Sequence, residues 1–107
     1  MNSFPIKDLS RLCIHTITTR PWSIEEAARY YSESGVKGIT VWRDALNGRN
    51  IKHTGEMIRS YGLTVVSLCR GGFFPNADSN KRKAALNDNL LAIEEAYELG
   101  TNKIILV

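Results

Sequence analysis

The 107-residue sequence predicts an α/β fold built on a parallel sheet, and three observations carry that prediction. Short runs rich in β-branched residues return along the chain: "LCIHTI" at 12–17, "GITVW" at 38–42, "TVVSL" at 64–68 and "KIILV" at 103–107. Helical patterns separate them. Each helix then ends in the same joint, a glycine and one to three residues before the next strand, in "SGVKGITV", "YGLTVVSL" and "LGTNKIILV". None of the runs alternates strictly with polar residues, so each reads as a strand covered on both faces.

The first helix is predicted from "SIEEAARYYSESG". Ser23 followed by Glu26 forms a capping box, and Ile24, Ala27, Ala28 and Tyr31 fall on one face at helical spacing. Gly35 supplies the left-handed residue that stops it. The second helix is expected from Asn50 to Tyr61, with Ile51, Ile58 and Tyr61 inward and Gly62 as its stop. The third is expected from about Asn80 to Leu99, with Leu86, Leu90, Ile93 and Tyr97 as the buried stripe and Gly100 as its stop.

Strand and helix alternating through short joints imply right-handed parallel crossovers. Strand starts at 12, 38 and 64 lie 26 residues apart, and such uniform units favour a TIM barrel over an open doubly wound sheet. The loop after the first strand, "HTITTRPWS", contains no glycine, which argues against a dinucleotide-binding unit. A complete barrel needs eight strands and about 250 residues. The expectation is therefore the first four strands and three helices of a barrel, residues 1–107 forming its N-terminal half.

Composition is that of a globular domain, 43% hydrophobic and 23% charged. The net charge of +3 is scattered, and "NKRKAA" is its densest patch, so no nucleic-acid partner is expected. The longest apolar run, "IILV", is far below the ~20 residues that span a bilayer. The N-terminal "MNSFPIKDLSRLC" has no apolar core or cleavage site of a signal peptide. Two cysteines, Cys13 and Cys69, fit a reducing cytoplasm. On strands one and three they should stand too far apart for a disulfide.

Taken in order, "LCIHTITT…SIEEAARYYSESGVKGITVW", "IRSYGLTVVSL" and "DNLLAIEEAYELGTNKIILV" resemble the N-terminal half of the xylose isomerase-like TIM barrels, and within them the sugar phosphate isomerase/epimerase group. The resemblance implies a divalent metal (Mn, Mg, Zn or Co) held by Glu, Asp, His and Glu on strands five to eight, where paired carboxylates move a proton beside a carbonyl. None of those ligands falls within this sequence, so this chain alone is expected to hold no metal. Its contribution would be pocket walls for a sugar or keto-sugar. A dehydratase of the same superfamily and an abasic-site endonuclease are alternatives, the latter disfavoured because "SLCRGG" offers no metal-binding histidine after the third strand. A catalytically inert half-barrel that self-associates is another.

In a barrel the chemistry sits at the C-terminal ends of the strands. The candidate substrate-binding residues there are His15, Trp42, Arg43, Cys69, Arg70, Gly71, Gly72 and Phe73. Arg70 can meet a phosphate, carboxylate or sugar oxygen, Gly71 and Gly72 allow close backbone approach, and Phe73 and Phe74 can stack on a sugar face or act as a lid. Each also has a plainer reading. His15 would be a satisfied histidine in the mouth, Trp42 core, Arg43 a surface charge, Cys69 a small filler, and the phenylalanines a plug. Glu25, Glu26, Glu94 and Glu95 read as solvated helix faces and dipole partners. Four strands cannot close a barrel, so the outer strands and an inner face carrying Ile14, Val41, Val66 and Ile105 or their neighbours are expected to lie open. The chain should then pair with a second copy or with a missing C-terminal half.

Overall fold

The computed structural model describes residues 5–107. Four strands, β1 (Cys13–His15), β2 (Gly38–Trp42), β3 (Thr64–Gly71) and β4 (Ile104–Leu106), alternate with three helices, α1 (Ile24–Glu33), α2 (Ile51–Ser60) and α3 (Ser79–Leu99). The sheet has the order β1-β2-β3-β4 and every pairing is parallel. This is the predicted succession of strands, and the sheet does not close. Short 3-10 turns, Thr16–Thr19 and Arg43–Leu46, follow β1 and β2.

Local chemistry sets the element ends. Ser23 Oγ accepts from the Glu26 N–H (3.1 Å) while Glu26 Oε1 accepts from the Ser23 N–H (3.1 Å), completing the capping box. Asn50 caps α2 through its Oδ1 and the His53 N–H, and Asp78 caps α3 through the Asn80 N–H. Gly35, Gly62 and Gly100 all have positive φ at the three helix-to-strand joints, the conformation that glycine adopts without a steric penalty.

The core lies between the sheet and its helices. Ile24, Ala27, Ala28 and Tyr31 of α1 and Ile58 of α2 pack against Ile39, Val41, Val65 and Leu68. Two expectations need correction. Tyr61 is exposed at the end of α2. In α3 the expected stripe of Leu86, Leu90, Ile93 and Tyr97 is exposed, Tyr97 to 85%, and the buried residues are Asn89, Ala92, Ala96 and Leu99. The physical reason is size: Ala92 and Ala96 let α3 lie close on the sheet, and the larger apolar side chains point away from it.

The inner face also differs from expectation. Val41 is fully buried and Ile14 packs on the helix-covered core, so the alternation of side chains places Cys13, Thr40 and Ser67 on the opposite side. These three form a hydrogen-bonded row, Cys13 Sγ to Thr40 Oγ1 at 3.2 Å and Thr40 Oγ1 to Ser67 Oγ at 2.8 Å. Thr40 and Ser67 are buried rather than open. A bulge in β3 leaves Val66 without a partner between Ile39↔Val65 and Thr40↔Ser67, and Ile105 is exposed on the last strand. The radius of gyration, 16.0 Å, exceeds the ~13 Å of a compact chain of this length.

Candidate functional site at the strand ends

The C-terminal ends of the strands meet in a cleft of about 410 Å³ that includes Ile17, Arg20, Trp42, Arg43, Cys69, Arg70 and Phe73 in its lining. Three arginines enter it, and the structure treats each differently. Arg20 is paired with Asp44, the acid that follows β2. Arg43 reaches back to α3, donating to Asp88 Oδ2 (2.8 Å) and Oδ1 (3.0 Å) and to Glu95 Oε2 (2.7 Å). Arg70 has no carboxylate partner among the described residues. Its guanidinium instead lies over the rings of Trp42 (5.6 Å to the centroid) and Phe73 (4.9 Å). Packing on ring faces leaves the edge N–H groups free to meet acceptor oxygens.

His15 and Trp42 form the second part of the site. The Trp42 indole Nε1–H donates to His15 Nδ1 at 3.0 Å, with the rings tilted at 58°. Trp42 thus touches both His15 and Arg70, joining the ends of β1 and β3 across β2. Cys69 is buried beneath the cleft; burial pushes its thiol pKa up, against a smaller opposing effect of Arg70. A protonated thiol is a poor nucleophile.

Gly71 and Gly72 make close approaches, and the partner is the chain itself. A Cβ on Gly71 would stand 2.5 Å from Asn89 Oδ1, and one on Gly72 would stand 2.6 Å from the Val107 nitrogen. Phe73 has φ 61, and both Phe73 and Phe74 are exposed. The loop is held from below by Asn89, which bonds the Gly72 peptide on both sides, and from the end of the sheet by Val107.

The site therefore brings together Trp42, Arg43, Cys69, Arg70 and Phe73 in one cleft, with His15 bonded to Trp42 beside it. Sequence reasoning missed Arg20, Asp88 and Asn89, and it read Glu95 as a solvated face. Glu95 is in fact half-buried beside Arg43, with a side chain 16% exposed. The adjacent pair Asp88-Asn89, two polar residues ahead of an alanine-rich turn, was the available signal. Among the described residues, no three His, Cys, Asp or Glu side chains are grouped so as to hold a metal ion.

Solved structures share this fold over most of the chain. Protein SMc04130 of Sinorhizobium meliloti 1021 is 37% identical over 90% of this chain, with a TM-score of 0.81. A xylose isomerase-like TIM barrel/4-hydroxyphenylpyruvate dioxygenase fusion protein matches 94% of the chain (TM-score 0.79, 14% identity). A xylose isomerase domain containing protein of Salmonella typhimurium LT2 matches 92% (TM-score 0.79, 16% identity). The fold is an open, four-stranded part of a TIM barrel of the kind found in xylose isomerase-like proteins. This chain spans 35%, 16% and 37% of those three proteins. No family model matches the sequence, and no curated protein does. No described helix of this chain is long and apolar enough to cross a membrane.

Proposed function

We propose that this chain forms the N-terminal half of a metal-dependent isomerase or epimerase acting on a sugar, sugar phosphate or related keto-sugar, and that it supplies one wall of the substrate pocket. The observation that supports this reading is the cleft at the strand ends, where Arg70, without a carboxylate partner among the described residues, lies over the rings of Trp42 and Phe73. Aromatic faces suit the C–H side of a sugar ring, and the guanidinium fork suits its oxygens or a phosphate. Any divalent metal, Mn, Mg, Zn or Co, would be held by residues outside this chain. No nucleic-acid or membrane partner belongs to the reading, and the two free cysteines suit a cytoplasmic setting.

The test joins this chain to the part of the Sinorhizobium meliloti protein that follows its matching segment. Deuterium incorporation beside the carbonyl is then followed for a panel of ketoses and ketose phosphates with Mn²⁺ or Mg²⁺. Metal-dependent exchange that Arg70→Ala reduces by about tenfold or more is expected, the loss of one charge-assisted contact. A folded hybrid that exchanges none of the panel overturns the reading.

A second reading, an inert half-barrel that associates with itself, is supported by the exposed stripe of Leu86, Leu90 and Ile93 on α3.

A further inference from the structure

The bond between Trp42 and His15 decides what His15 can offer a ligand. An indole nitrogen only donates, so His15 Nδ1 must accept and cannot itself carry a proton. A neutral imidazole bears one proton, which therefore sits on Nε2, across the ring from Trp42. No described residue accepts from Nε2, and the side chain is only half-buried at the end of β1. The Arg70 guanidinium also lies over the Trp42 ring, 5.6 Å from its centroid.

We propose that Trp42 is a positioning residue that locks His15 as an Nε2–H donor, and that His15 binds a hydroxyl or carbonyl oxygen of the ligand and is not a metal ligand. Metal ligation needs a free lone pair on imidazole. One lone pair is occupied by the indole N–H, and the other nitrogen carries the proton. The inference deepens the reading above by assigning roles to two wall residues, and it is tested without turnover.

The test is ¹⁵N NMR of the full chain labelled at histidine and tryptophan, in solution or, if the chain associates, as a sediment under magic-angle spinning. The pH is set well above the usual imidazole pKa of about 6.5. The chain has two histidines, and His53→Gln makes the assignment. The expected result is a His15 ring protonated at Nε2 with an acceptor shift at Nδ1, and a Trp42 indole N–H that exchanges more slowly than that of Trp22. A proton on Nδ1, or a fast-exchanging Trp42 N–H, overturns the proposal.

A second arm adds Cu²⁺, a paramagnetic ion that seeks imidazole. The His53 signals should broaden while those of His15 stay sharp, and in Trp42→Phe the His15 signals should broaden as well. Broadening of His15 in the unaltered chain overturns the proposal. So does a folded Trp42→Phe chain in which His15 remains sharp, since Trp42 would then not be what withholds the lone pair. If Trp42→Phe does not fold, the unaltered chain decides alone.

Discussion

Asn89, in the middle of α3, holds the Gly72 peptide from both sides: the Gly72 N–H donates to its Oδ1 at 2.7 Å, and its Nδ2 donates to the Gly72 carbonyl at 2.8 Å. The same Nδ2 donates to Ala85 O at 2.7 Å. One buried amide thereby fixes the loop that leaves β3 just after Arg70 and carries Phe73. Asn89→Ala strands the Gly72 N–H and carbonyl, and stability should fall by about 2–4 kcal/mol. Asn89→Asp keeps the acceptor but turns an oxygen toward two carbonyls, and should also destabilise. Urea unfolding midpoints measure both.

The glycines differ in what surrounds them, and alanine substitutions should separate them. At Gly35, with φ +85, nothing lies within 4 Å of a new Cβ. Gly35→Ala should therefore cost only the backbone penalty, about 1–2 kcal/mol. At Gly72, with φ +99, the new Cβ would also collide with the Val107 backbone. Gly72→Ala should cost clearly more than Gly35→Ala in parallel thermal melts. Equal losses would mean that β4 moves aside freely.

The Arg43 guanidinium, hydrogen-bonded to Asp88, holds that carboxyl below its ordinary value of 3.8. A depressed folded-state value contributes stability above the unfolded value, and that stability is lost as pH falls through the folded one. The Arg43–Asp88 contribution should therefore be intact at neutral pH and fade below about pH 3.8. Asp88 is half exposed, which limits its size. Arg43→Met should destabilise at neutral pH by about 1–2 kcal/mol, because Glu95 loses its partner. It should also flatten this part of the acid limb in unfolding curves taken between neutral pH and pH 3.

The exposed stripe on α3 carries a prediction about assembly. Burying an apolar side chain contributes about 1.5–3 kcal/mol, and Leu86, Leu90 and Ile93 are all more than half exposed. The isolated chain should associate, and Leu90→Glu with Ile93→Lys should raise the monomer fraction without lowering the unfolding midpoint. Light scattering behind a sizing column reads this directly. A sharp 12.0 kDa peak from the unaltered chain would contradict it.

Both cysteines are free, and their surroundings differ. Half-buried Cys13 should react with a maleimide first, and buried Cys69, with its raised pKa, should lag until the chain is denatured. Mass spectrometry of partly labelled chain would show the order, and equal rates would mean that β3 is open at its end.

The strands, helices and joints were legible because local signals set them: a capping box at Ser23, glycines at three joints, and β-branched runs at even spacing. The buried face of α3 was not. Its sequence carries apolar residues on two sides, and periodicity cannot tell which side meets the sheet when the closer-packing residues are alanines. The ion pairs of Arg43 were not legible for a related reason. Its partners, Asp88 and Glu95, lie 45 and 52 residues away, and only the fold brings them together. The candidates at the strand ends were found through the architecture, while the bond between His15 and Trp42 had no signature in the sequence.

The row formed by Cys13, Thr40 and Ser67 has a consequence for anything that completes this open barrel. Thr40 and Ser67 are buried and bonded to each other, so the row ties β1, β2 and β3 side by side and uses its polar atoms within the sheet. Closure would have to be driven at the seams, by the strand edges and the flank of α3.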